Sequence, residues 1–114
     1  MSDSVDLVEL VERDIMSFDA VSRFPDPGFS ENIQKVIGMD VHNPGIKVSE
    51  DDGVLTINCE IIVYFGVNIP QLCYDIQSKV KRDIEENTYF SVKAVNIRVE
   101  GLDKTEDPDE KEIN

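Results

Sequence analysis

The chain has 114 residues, 40% of them hydrophobic and 31% charged, with a net charge of −13. That length supports one core, because a split into two would leave neither half a proper interior, and the composition is that of a globular protein. The excess of carboxylates disfavours direct binding to nucleic acid or to an anionic membrane, both of which are held by Lys and Arg.

The acidity is uneven: residues 1–44 carry −6, residues 45–101 carry −3 and residues 102–114 carry −4. The chain starts Met1-Ser2-Asp3-Ser4 without a basic region. Its longest apolar run, 61–65, is far short of the ~20 residues that span a bilayer. A cytoplasmic location without direct membrane insertion is therefore expected. With no secretory signal, Cys59 and Cys73 are expected to be buried and reduced.

Residues 4–24 have helical periodicity, with Leu7, Val8, Val11, Ile15 and Phe18 on one arc and Glu9, Glu12, Arg13 and Asp19 opposite. Pro25 and Pro27-Gly28 end that segment. Residues 25–44 give no clear pattern: Phe29, Ile33, Val36 and Ile37 suggest a short helix that Gly38 weakens. From Gly45 the period becomes two. Ile46 and Val48 flank Lys47, and Glu50-Asp51-Asp52-Gly53 predicts a hairpin turn.

The next strand, 54–65, puts Leu55, Ile57, Cys59, Ile61, Val63 and Phe65 on a core face. Val54, Thr56, Asn58, Glu60, Ile62 and Tyr64 form a mixed face that the first helix or a second subunit is expected to cover in part. Asn68 caps a helix with Pro70 in its first turn and Gln71 placed to answer the cap. That helix runs to Asn87, with Ile69, Leu72, Cys73, Ile76, Val80 and Ile84 as its apolar stripe. A last strand, 91–100, bends near Ala94, where Phe90 and Val92 fall out of phase with Val95, Ile97 and Val99. The expected fold class is α+β: an N-terminal amphipathic helix, then a ββαβ unit whose small three-stranded sheet is covered by one long helix. Residues 1–101 form a single domain, and the acidic tail 102–114 is expected to be disordered.

No catalytic or metal constellation emerges, and no cofactor is expected. His42 is the one histidine, set in a predicted loop without Cys or His at zinc-ligand spacing. Cys73 lies on an apolar stripe. Glu60 and Asp83 are carboxylates whose solvated or ion-paired roles outweigh catalysis, and the glycines are isolated in turns. The basic cluster Lys79, Lys81 and Arg82 is expected to pair within its helix, Lys79 with Asp75, and Lys81 and Arg82 with Glu85 and Glu86. Tyr74, opposite the apolar stripe and beside Lys81, reads as a protein contact.

With Tyr64-Phe65-Gly66, Ile69-Pro70, Ile76-Gln77, Val80, Thr88, Val95-Asn96-Ile97 and Gly101 in place, residues 45–101 resemble the alkaline shock protein family of Gram-positive bacteria, the envelope stress response proteins. One residue is inserted between the Tyr and Gly of the family pattern, and Tyr89 stands where the family has Gly after Thr. The N-terminal strand usual before the family's first helix is not recognisable. The resemblance implies a non-enzymatic cytoplasmic protein of envelope homeostasis, self-associating and held near the membrane by a small membrane-anchored protein partner. Tyr74, Lys81, Ile62, Tyr64 and Tyr89 are the expected contact residues. The alternatives are a regulatory subunit of a metabolic enzyme, or a weak enzyme with a site on the mixed face around Asn58, Glu60 and Tyr64, and an RNA-binding module, which the charge opposes.

Overall fold

The structure, a computed structural model, describes residues 6–26 and 43–104. Helix α1 spans Leu7–Met16, and the Asp6 side chain caps it by accepting from the Glu9 N–H at 3.2 Å. It ends earlier than the periodicity of residues 4–24 suggests. The Ser17 hydroxyl donates to the Asp14 carbonyl at 2.7 Å, the local bonding by which serine competes with a helix. The Val21 N–H then donates to Phe18 O, turning the chain into a short strand, β1, Val21–Arg23.

Strands β2, Ile46–Asp51, and β3, Val54–Tyr64, form the expected antiparallel hairpin. Its two-residue turn needs positive φ at both positions, and Asp52 (56°) and Gly53 (82°) provide it. Helix α2 spans Ile69–Asn87, capped by the Asn68 side chain, which accepts from the Gln71 N–H at 3.1 Å. The Gln71 amide does not return to the cap; it donates to Asp75 at 2.9 Å. Replacing Asn68 with alanine orphans that N–H and is expected to cost about 1 kcal/mol, read as a lowered urea midpoint with an unchanged slope.

Strand β4 runs from Ser91 to Asp103, parallel to β3. Val92 and Ala94 face consecutive residues of β3, leaving Lys93 as a bulge where the phase change was expected. A second bulge leaves Glu100 unopposed. The strand does not stop at Glu100 but continues through Asp103, whose carboxylate accepts from the Ser22 hydroxyl at 2.6 Å and from Arg23 Nε at 3.0 Å.

Among the described residues the sheet has four strands, not three. Successive N–H groups of a strand point to opposite edges. In β3 those of Glu60 and Tyr64 reach Gly45 and Ala20, while that of Phe65 reaches Asp103. Strands β2 and β1 therefore share one edge of β3, end to end, and β4 takes the other. Three residues are too few for β1 to show an alternation of its own.

Both helices lie on one face of this sheet. Leu55, Ile57, Cys59, Ile61 and Val63 of β3 form a single buried cluster with Leu10, Val11 and Ile15 of α1 and Leu72, Ile76, Val80 and Ile84 of α2. Helix α1 packs against α2, β1 and β2, so it does not cover the mixed face of β3. Phe65, expected in the core, is 73% exposed because β3 ends at Tyr64 and the chain turns at Gly66, with φ 96°.

Candidate contact surface

The mixed face of β3 is the outer face of the sheet, and no described helix crosses it. At its middle, Lys47, Asn58 and Asn96 stand in register across β2, β3 and β4, with the Asn96 amide donating to Asn58 Oδ1 at 3.0 Å. The next row places Glu60 opposite Arg98, whose Nε meets Glu100 at 2.8 Å. Lys47, Asn58, Glu60, Asn96 and Arg98, together with Pro44 and Gly45, line a groove of about 330 Å³. The groove brings Asn58 and Glu60 together, while Tyr64 lies outside its lining.

Beyond the groove, the Ser22 and Arg23 bonds to Asp103 span β3 from one edge of the sheet to the other. The hydroxyl and guanidinium hold the Asp103 carboxyl below its ordinary range, and Asp103 in turn raises the Arg23 guanidinium. Ile62 sits in this region, opposite Arg23 and Gly101. Ile62, one of the expected contact residues, is 9% exposed.

The five expected contact residues do not gather into one patch. Ile62 and half-buried Tyr64 belong to the outer sheet face. Tyr74 and Lys81 are exposed on α2, where Lys81 lines a shallow groove with residues 92–96 of β4, and Tyr89 is fully exposed in the turn after that helix. Two exposed apolar residues missed in the sequence, Phe65 and Leu102 (53% exposed), sit at one end of the sheet, where Phe65 N–H bonds to Asp103 next to Leu102. Strand ends expose a core-facing residue once the covering helix stops, and alternation alone does not locate that point.

The second edge of β4 has no described strand beside it, yet side chains of α2 occupy part of it. The Glu85 carboxylate accepts from the Val92 N–H at 2.9 Å, and the Gln77 amide donates to the Val95 carbonyl at 2.9 Å. This use of Glu85 differs from the expected pairing with Lys81. Lys79 likewise meets Asp83, at 3.9 Å, and not Asp75, while Arg82 lies 4.0 Å from the same Asp83.

Candidate chemistry is sparse. Cys59 is buried, with its thiol pushed up to about 12, and half-buried Cys73 is raised by burial as well; neither is a thiolate at neutral pH. Among the described residues no three His, Cys, Asp or Glu side chains are grouped to hold a metal. His42 lies outside the described residues, as do the remainder of the expected tail, 105–114, and the short helix expected within 29–42. No described helix is long and apolar enough to cross a membrane. Among the described residues the one buried carboxylate is Asp14 of α1, which is not singled out in the sequence. It lies three residues after Val11 and four after Leu10, so helical spacing alone puts it on the apolar arc.

A mixed four-stranded sheet with two helices on one face is an α+β fold. The C-terminal domain of the magnetosome protein MamB from Desulfamplus magnetovallimortis BW-1 shares it, with a TM-score of 0.55 at 15% identity, over 89% of this chain and 99% of that one. The chain belongs to the alkaline shock protein family, described as having a cell envelope-related function, whose pattern matches residues 10–104. It is 28% identical over 74 residues to the uncharacterized protein YqhY of Bacillus subtilis, and 34% identical over 67 residues to the uncharacterized protein Spy1535 of Streptococcus pyogenes. These matches cover 65% and 57% of this chain and 55% and 52% of the relatives. The chain thus spans about half the length of the curated relatives it matches.

Proposed function

We propose that this chain is a non-enzymatic scaffold or adaptor of the bacterial cell envelope, cytoplasmic, that self-associates through the outer face of its sheet and docks on a small membrane-anchored protein. The observation that carries this reading is the outer face of the sheet, which no described helix crosses. A sheet with both described helices on one side leaves the other side available to a second layer. That face carries both signs of charge, Lys47 and Arg98 beside Glu60. A second copy turned against it meets opposite charges in spite of the net −13. Side chains of α2 partly close the β4 edge, which favours contact through the face over strand addition at the edge.

Sedimentation equilibrium from micromolar to near-millimolar concentration, together with capture of the tagged chain from its host in mild detergent, tests this. Reversible self-association and a co-purifying small membrane protein are expected. A strict monomer that retains no partner would overturn the proposal.

A further inference from the structure

Asp14 stands among Leu10, Val11 and Ile15 at the interface of α1 with α2 and is 4% exposed. Among the described residues its Oδ2 has no hydrogen-bond partner. The carboxyl group it meets from α2 is that of Asp83. Two ionised carboxylates bring no donor between them, and the charge of Asp83 opposes the ionisation of Asp14. A single proton removes both defects, since a protonated Asp14 is uncharged and donates to Asp83.

We propose that Asp14 and Asp83 form a proton-operated latch between the helices: with a proton shared between the two carboxyls α1 is held against α2, and loss of that proton releases α1. The surrounding charges fix which residue carries it. Asp83 is engaged by Lys79 at 3.9 Å and by Arg82 at 4.0 Å, which makes it the acceptor. Burial, reinforced by Asp83, raises the Asp14 acid to about 7, while Lys79 and Arg13 pull it down. The charged groups of β1 and β2, the other strands against α1, are directed elsewhere. Arg23 is bound to Asp103, Lys47 lines the outer groove, Glu50 accepts from Gly53 N–H in the turn, and Asp51 is exposed at the strand end.

With α1 released, Asp14 returns to the ordinary aspartate value of ~3.9. The latched state therefore binds the proton more tightly. Its advantage is complete below that ordinary value and is lost as pH rises through about 7.

Amide hydrogen exchange of α1 in the full chain, corrected for the intrinsic pH dependence of exchange, reads the latch directly. The opening equilibrium of α1 is expected to rise about tenfold per pH unit up to neutrality and to level off above it. Asp14→Asn, whose side-chain amide donates to Asp83 at every pH, is expected to abolish the slope. A wild-type chain without the slope, or Asp14→Asn with the wild-type slope, would overturn the proposal. Should Asp14→Asn fail to fold, the carbon-13 titration of the Asp14 carboxyl in the wild type decides: a midpoint near neutrality supports the latch, and one in the ordinary aspartate range refutes it.

Discussion

Replacing Ile61 with alanine is expected to lower the free energy of unfolding by about 2–5 kcal/mol, read as a shift of the urea midpoint. Ile61 is fully buried at the middle of β3, the strand to which every other strand pairs. Its side chain lies in the cluster that both helices share, so no single element can move in to fill the space left behind. Phe65 gives the contrast. It has the same strand parity and comparable apolar bulk but is 73% exposed, and Phe65→Ala is expected to change stability by less than about 0.5 kcal/mol. If the two variants were equally costly, the placement of the core would be wrong.

Ile76→Asp has the larger effect. Ile76 is fully buried near the centre of α2 and belongs to the same cluster as Leu55, Ile57 and Ile61 of β3. A carboxylate there would lose its hydration among aliphatic side chains with no cation in the cluster to compensate. The expected destabilisation is about 4 kcal/mol or more, a large part of the ~5–15 kcal/mol that domains of this size possess. Far-UV circular dichroism should show a largely unfolded variant at physiological temperature. A variant that keeps native ellipticity and melting would contradict the packing of α2 on the sheet.

The residues that carry the family resemblance turn out to hold elements together, which explains how a short motif specifies a fold without naming a chemistry. Gln77 fixes α2 to the edge of β4 through the Val95 carbonyl. Thr88 accepts from the Phe90 N–H and donates to the Ile84 carbonyl, closing the turn between helix and strand. Asn96 bonds to Asn58 across the outer face. Val80 is in the core, and Gly101 stands opposite Ile62 just after the second bulge of β4. Tyr89, the departure from the family pattern, simply projects into solvent beside these bonds.

The hairpin, helix α2 and the bulge in β4 were legible because each has a local cause: positive-φ residues in a tight turn, a cap with Pro70 in the first turn, and a break of alternation at Lys93. The features that were missed depend on long-range contacts. Strand β1 exists because the end of β3 offers it partners, and β4 continues to Asp103 because Ser22 and Arg23, some eighty positions earlier, bind that carboxylate. Ile62 is buried in the same region, although its neighbours along that strand face, Asn58 and Glu60, are polar. The groove on the outer face joins β2, β3 and β4, and only Asn58 and Glu60 of its lining had been singled out for a site. The burial of Asp14 is different: its spacing from Leu10 and Val11 was available in the sequence, and its charge concealed it.

The most direct measurement of the contact role is the concentration dependence of molecular mass for the wild type beside Asn96→Arg, an exposed position at the centre of the outer face. The proposal predicts reversible association of the wild type. In Asn96→Arg it predicts association weakened by about tenfold or more, as for a residue at the centre of an interface, with only the small loss of stability that removal of the exposed bond to Asn58 brings. Association of equal strength in the two chains would contradict contact through this face.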